Sequence, residues 1–229
     1  METIVPEEGN LMHRHLNGPT IALVAVFAAF IAASTAVPEV TLAFGVPLSL
    51  QTFAVVLAAL SLGPWRAAAA MSLYLVVGLA GAPIFANFRS GPSVFAGPTG
   101  GYLIGMLAAA IVVGALVTWR RRRGPLTFLA LLGPGLVSIP VIYAVGVPWL
   151  AARTGLPVLP PAGCDNLWTV SEGCANALTV GVVPFLPGDL VKVLLAALAA
   201  AVIHRAYPQL MPAPALRTGS VTRETPATA

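Results

Sequence analysis

The chain has 229 residues, of which 58% are hydrophobic and only 9% charged, and its mean hydropathy is +0.89. Soluble domains carry about 25% charged residues, so this composition excludes an ordinary soluble fold and predicts an integral membrane protein. The formal net charge of +4 does not indicate a nucleic-acid partner. The basic residues lie between apolar runs, whereas a nucleic-acid interface interleaves them with polar and aromatic residues on one face.

Six apolar runs predict an all-α bundle of six transmembrane helices, at about 20 residues for each crossing. The second and third runs are short for a bilayer of about 30 Å, and an earlier start of the second run at Leu42 would bend at Pro47. We expect an N-terminal segment at 1–19, a membrane domain at 20–206 and a disordered tail at 207–229. The runs are 21–36, 48–62, 67–82, 101–118, 126–146 and a last one ending near 203.

The distribution of basic residues predicts the orientation of these spans. Of the twelve, nine fall on one side, two on the other, and Lys192 lies within the last span. Basic residues in short loops concentrate on the cytoplasmic side, so we expect a multi-pass protein of the cytoplasmic membrane with both termini inside the cell. The first side has Arg14, Arg66, Arg120, Arg121, Arg122, Arg123, Arg205, Arg217 and Arg223, and the second has Arg89 and Arg153.

Small residues recur every four positions along the first predicted helix, at Ala25, Ala29 and Ala33. Such a stripe lets two helices approach closely in lipid, either within the bundle or against a partner protein, and both alternatives remain open. The same run follows Arg14 and ends in small residues, so a cleaved signal peptide is a further alternative. Cleavage would leave five spans and an outside N-terminus.

Two predicted outer loops are unusually long. The loop at 83–99 is rich in Gly and aromatic residues, carries Asn87 and Arg89, and suits a lid over a binding site. The loop before the last helix contains both cysteines, Cys164 and Cys174. An oxidising exterior allows a disulfide between them, whereas two cysteines without a nearby histidine make a poor zinc site.

A charged pair stands near the start of the last helix. Asp189 and Lys192 are separated by three residues, which places both side chains on one helical face. Charges at such a depth are costly, so they must face a cavity or each other. A structural ion pair and a ligand site are both open, and the polar loop at 83–99 on the same side favours a ligand site.

The sequence lacks the motifs of an ATPase and of a histidine-dependent intramembrane enzyme. A Walker A motif needs Gly-Lys followed by Ser or Thr, but the chain's only lysine follows Val191, so ATP hydrolysis must come from partner subunits if transport is energised. The histidines at 13, 15 and 204 lie at the margins of spans and predict neither a metal site nor a catalytic pair. We therefore expect a transport protein without a metal or cofactor.

Four strings, in this order, resemble the BioY family, the biotin-specific substrate-capture (S) components of energy-coupling-factor (ECF) vitamin transporters. The strings are VPLSLQTF at 46–53, GLAGAPIFANF at 78–88, GPTGGYLIG at 97–105 and FLPGDLVK at 185–192. The resemblance extends from about residue 23 to 205. The main departure is the long outer loop at 157–172, which looks like an insertion.

The resemblance implies a six-helix bundle that captures biotin with high affinity at its outer face for uptake across the membrane. It also implies docking onto a transmembrane coupling protein driven by two ATPase subunits, with Ala25, Ala29 and Ala33 as the docking face. Two other functions remain as alternatives. A self-sufficient secondary transporter would couple uptake to an ion gradient, and an intramembrane enzyme would need a nucleophile and base, or paired carboxylates, in one plane.

The resemblance also suggests roles for individual residues. Asp189 would accept from the ureido N–H groups of biotin, while Lys192 or Asn87 donates to the ureido carbonyl. Arg89 would bind the tail carboxylate, with Tyr102 as a further donor. The opposite orientation, with Lys192 on the carboxylate, stays open.

Gln51 lies at the outer end of the second span, within the string VPLSLQTF. This position suits either the lining of the ligand pocket or a hydrogen bond within the bundle, and the residues do not decide between them.

Overall fold

The structure, a computed structural model, describes residues 18–36, 40–41, 47–48, 50–161, 164 and 174–211. Apart from one pairing of two-residue strands and an isolated bridge between Phe85 and Arg89, these residues form helices, turns and connecting segments. The helices are α1 Gly18–Ala36, α2 Gln51–Leu62, α3 Pro64–Leu79, α4 Ser93–Ala96, α5 Gly100–Arg121, α6 Phe128–Thr154, α7 Ala177–Gly181 and α8 Leu186–Ala206, with 3-10 turns at Ala86–Phe88 and Pro208–Leu210. Strands β1 Val40–Thr41 and β2 Pro47–Leu48 pair antiparallel.

Four stretches of the described chain are long and apolar enough to cross a membrane: Gly18–Thr35, Gly100–Arg121, Phe128–Thr154 and Ala177–Ala206. This confirms the predicted helical membrane protein. The second and third predicted spans correspond to α2 and α3, which are shorter apolar helices of 12 and 16 residues. The number of crossings therefore stays a prediction.

Helix α2 is short because it lies inside the bundle. Every residue of α2 except Phe53 is buried, as expected for a helix that is hydrophobic on all sides. It packs against α1, α3, α5, α6 and α8. At Gly63 the backbone takes a φ of 78°, which ends α2, and Pro64 starts α3 at a position that suits proline. A helix shielded by protein does not need the length of a lipid-facing one.

Helices α5 and α6 approach closely through small residues, as expected for packing in lipid. A Cβ atom added at Gly105 of α5 would lie 2.7 Å from the carbonyl oxygen of Ile142 in α6. Because the contacted atom belongs to the backbone of α6, a side chain at this position would force the two helices apart.

Gly105→Ala is therefore expected to lower the stability of the bundle by about 1–3 kcal/mol, the usual range for overpacking. The measurement is the thermal unfolding midpoint of the detergent-solubilised protein. Gly133→Ala is the matched control, because a Cβ at Gly133 of α6 meets nothing within 4 Å. Equal unfolding midpoints for the two variants would contradict the close helix contact.

The chain beyond α8 folds back onto the bundle. Arg66 donates to the carbonyl oxygen of Leu210 at 3.0 Å, Arg121 donates to that of Met211 at 3.2 Å, and the Met211 side chain is buried. The folded part thus extends past the predicted boundary at 206. The remainder of the predicted tail, 212–229, and the predicted N-terminal segment up to residue 17 lie outside the described residues.

The alanine stripe of α1 faces away from the described part of the bundle. Ala25, Ala29 and Ala33 are all exposed, whereas Ala28 and Ile31 on the other side of α1 are buried. Internal packing, the first alternative considered for this stripe, is therefore not its role within the described residues.

Candidate functional site

A cavity of about 380 Å³ opens at the end of the bundle where α2, α5 and α8 begin, which is within the usual size range of small-molecule sites, about 300–1,000 Å³. Its walls also include the second half of α6 and the segment that follows α3. The structure brings together all six residues predicted to bind a substrate: Gln51, Asn87, Arg89, Tyr102, Asp189 and Lys192.

The charged pair lies at the protected side of this cavity. The Lys192 ammonium is 2.9 Å from Oδ1 of Asp189, and the two side chains are only 6% and 11% exposed. Helix α8 starts with Pro187 in its first turn and presents both residues on one face. The two charges therefore face each other and also line the cavity.

Tyr143 of α6 completes the environment of Asp189. Its hydroxyl donates to Oδ2 of Asp189 at 2.6 Å, so each carboxylate oxygen has a protein donor. Sequence reasoning missed Tyr143, because nothing distinguishes one tyrosine within a long apolar run. Only the packing of α6 against α8 reveals its role.

Tyr102 forms part of the wall next to Tyr143. The two rings stand edge to face with centroids 6.2 Å apart, and the Tyr102 hydroxyl donates to the carbonyl oxygen of Gly181 at 3.0 Å. A Cβ at Gly181 would clash with that hydroxyl and with the Leu150 side chain, so a larger residue there would require these side chains to move. A direct bond from Tyr102 to a ligand carboxylate would require this contact to break.

Gln51 has both of the roles left open by the sequence. It lines the cavity, and its Nε2 donates to the Tyr74 hydroxyl at 3.1 Å. The Tyr74 hydroxyl in turn lies 3.3 Å from the carbonyl oxygen of Ile84, to which it donates. This chain of hydrogen bonds connects the start of α2 to the segment that covers the cavity.

That segment is a compact turn. The Phe85 side chain is buried, edge-on to the rings of Tyr74 and Phe95, and its backbone N–H donates to the carbonyl oxygen of Arg89 at 3.0 Å. The intervening Asn87 and Phe88 have φ angles of 58° and 55°, which are unusual outside glycine. The turn presents the exposed Asn87 and Arg89 at the mouth of the cavity.

A disulfide joins Cys164 and Cys174, shortly before α7 in the chain. Asn176, two residues later, caps α7 by accepting from the backbone N–H of Thr179 at 3.0 Å. The N–H of Ala177 donates to the carbonyl oxygen of Pro157 at 2.9 Å. Val180 and Gly181 at the end of α7 line the cavity, so the disulfide lies directly before one of its walls.

The ionisable groups of the site do not suit a metal. Across residues 18–211, as far as the structure describes them, no three His, Cys, Asp or Glu side chains come together as potential ligands. The cavity instead combines one ion pair, hydroxyl and amide groups and a largely apolar wall. This combination suits a small organic molecule with polar groups at both ends.

Residues 11–209 match the sequence model of the BioY family. The chain is 40% identical over 193 residues to the biotin transporter BioY of Rhodobacter capsulatus, covering 83% of this chain and 96% of that protein. It is 36% identical to the biotin transporter BioY of Thermotoga maritima, covering 68% and 79%. The fold matches the crystal structure of an S-component for biotin from an ECF-type ABC transporter, with a TM-score of 0.66, 23% identity and coverage of 82% and 91%.

Proposed function

Since the chain belongs to the BioY family, we propose that it captures biotin at the cell membrane for uptake, as the S component of an ECF-type transporter. The observation that carries this proposal is the cavity that gathers Asp189, Lys192, Asn87 and Arg89. Relatives that cover most of the chain are named biotin transporters, and a transporter is not expected to catalyse a reaction on its ligand.

The two ends of the cavity differ in exposure, which favours one orientation of biotin. The buried end offers an acceptor and a donor close together, Asp189 and Lys192, and these match the N–H groups and the carbonyl of the ureido ring. The exposed end offers Arg89, whose guanidinium is suited to a carboxylate. We therefore propose that the ureido ring enters first and the valerate tail points towards the mouth.

Apolar side chains between these ends would contact the sulfur-containing ring. Leu103, Met106 and Ile142 line the cavity between α5 and α6. Burying an apolar ligand surface against them contributes roughly 25 cal/mol for each Å² removed from water. Polar contacts at the two ends would then select biotin among ligands of similar size.

For the membrane topology we keep six crossings with both termini in the cytoplasm. Helix α2 begins at Gln51 in the cavity and is almost entirely buried by protein, so its 12 residues would contribute to the second crossing without facing lipid. The end of the bundle opposite the cavity carries most of the arginines. The positive-inside rule therefore favours a cavity that faces the outside.

The test is equilibrium binding of labelled biotin to the purified protein in detergent, with desthiobiotin, lipoate and thiamine as competitors. We expect tight binding that desthiobiotin competes and thiamine does not. No binding by a folded preparation would overturn the proposed ligand. Uptake by cells with and without the ATPase subunits then separates an ECF-coupled protein from a self-sufficient transporter.

Tyr143→Phe is expected to weaken biotin binding about tenfold, because the carboxylate of Asp189 loses one of its two donors and is less firmly oriented. The dissociation constant is measured beside that of Tyr207→Phe, which makes the same change at an exposed position far from the cavity. If the two variants bind biotin with equal affinity, Tyr143 does not contribute to biotin binding, and the prediction is wrong.

Reduction of the disulfide is expected to accelerate biotin release severalfold, since it would free the chain that precedes the α7 wall. The dissociation rate of labelled biotin is measured with and without dithiothreitol. The double variant Cys164→Ser/Cys174→Ser should release biotin at the faster rate and be insensitive to the reductant. A reductant effect that persists in this variant would contradict the prediction.

A further inference from the structure

The end of the bundle opposite the cavity concentrates positive charge. The chain passes through this end at the α2–α3 junction, the α5–α6 connection and the end of α8, and the docked turn at Pro208–Leu210 joins these parts. We call it the arginine end. It contains Arg66, Arg120, Arg121, Arg122, Arg123 and Arg205.

No acidic side chain of the described residues balances this charge. Within the described ranges Asp189 is the only acidic residue, and it lies at the cavity, paired with Lys192. Arg66 and Arg121 hold the chain that follows α8, because they donate to the carbonyl oxygens of Leu210 and Met211. The fold does not account in this way for the other four arginines.

Aromatic side chains at the same end indicate the level of the membrane surface. Trp65 is 79% exposed, Trp119 is 46% exposed and Tyr207 is 57% exposed. Such rings concentrate where the hydrocarbon meets the headgroups, because they have an apolar body and a polar edge. The guanidinium of Arg123 lies over the Trp119 ring, 3.6 Å from its centroid. This contact holds one arginine at the headgroup level.

We propose that the arginine end binds the headgroups of anionic phospholipids. A guanidinium forms two parallel hydrogen bonds with a phosphate, and its charge cannot be lost at any physiological pH. Groups of four to eight basic residues beside a membrane helix attract anionic lipids. Trp119 orders Arg123 before a lipid arrives, so less side-chain freedom is lost on binding.

The experiment titrates the full chain in a neutral detergent with short-chain phosphatidylglycerol, phosphatidylcholine or inorganic phosphate. The readouts are tryptophan fluorescence and the thermal unfolding midpoint. We expect phosphatidylglycerol to act at concentrations at least about tenfold lower than phosphatidylcholine, and phosphate to have no comparable effect. If both lipids change the fluorescence and the unfolding midpoint at the same concentration, the proposal is wrong. If phosphate has the same effect as phosphatidylglycerol, the site binds free phosphate rather than a lipid headgroup.

A matched pair of variants localises the effect. Arg123→Gln removes a guanidinium stacked on Trp119, and Arg153→Gln removes one that lies 4.9 Å from the Trp149 ring at the cavity end of the bundle. We expect only Arg123→Gln to weaken phosphatidylglycerol binding, by about fivefold. Similar losses in both variants would mean nonspecific attraction and would overturn the proposal. Biotin binding of Arg123→Gln, measured in parallel, shows that the variant is folded.

Discussion

Biotin binding of the Asp189→Asn variant should be at least about 100-fold weaker than that of the unchanged protein, with the bundle still folded. The substitution retains the shape of the side chain and removes its charge, so the ureido N–H groups lose a charged acceptor. Charge-assisted hydrogen bonds contribute roughly 1.5–3 kcal/mol each, and 1.4 kcal/mol corresponds to a factor of ten in the dissociation constant. Lys192 would also be left as a buried cation without its partner.

Because the unpaired Lys192 could itself destabilise the protein, a second variant is needed to separate binding from stability. Asp189→Asn/Lys192→Met removes both charges and should restore stability without restoring affinity, because an uncharged pair leaves no buried ion. Leu190→Asn is the control on the neighbouring position, which is exposed and does not line the cavity. The unfolding midpoint and the biotin dissociation constant are measured for all three. If the double variant binds biotin with unchanged affinity, the pair is not part of the binding site and has only a structural role.

Uptake of biotin should fail in the Ala29→Trp variant, although its affinity for biotin stays the same. Ala29 is exposed in the middle of the stripe on α1, and small side chains allow a partner helix to approach closely. A tryptophan there would hold the coupling protein away. The cavity is lined by other helices, so binding to the isolated protein is expected to be unaffected.

The control for this prediction is Val202→Trp on α8, which adds a tryptophan at a position that is 61% exposed. Cellular uptake is measured with the coupling protein and both ATPase subunits present, and biotin binding is measured on each purified variant. Normal uptake by Ala29→Trp would contradict docking through this stripe. Loss of uptake in both variants would indicate a general effect of an added tryptophan on membrane insertion.

The residues around the cavity were partly predictable because charge is conspicuous in an apolar sequence. Asp189 and Lys192 stand out in the last helix, and Arg89 stands out in its loop. Tyr143 could not be found in this way, since its importance depends on how α6 packs against α8. The hydrogen bond of Tyr102 to Gly181 depends in the same way on tertiary structure.

The length of α2 shows a second limit of sequence reasoning. Hydropathy measures how apolar a segment is, and the expectation of about 20 residues assumes that the segment faces lipid throughout. Helix α2 is surrounded by other helices, so this assumption does not hold for it. The extension of the folded chain to Met211 was missed for a related reason, because it depends on contacts of Arg66 and Arg121 that are distant in sequence.

The charged pair has a consequence for the electrical behaviour of transport. Asp189 and Lys192 belong to the same turn of α8, so a tilt or shift of this helix moves a positive and a negative charge together. Moving one elementary charge through the full membrane potential involves about 2.3 kcal/mol for each 100 mV, but a neutral pair moves without this term. Reorientation of the buried end of the site should therefore be nearly independent of voltage.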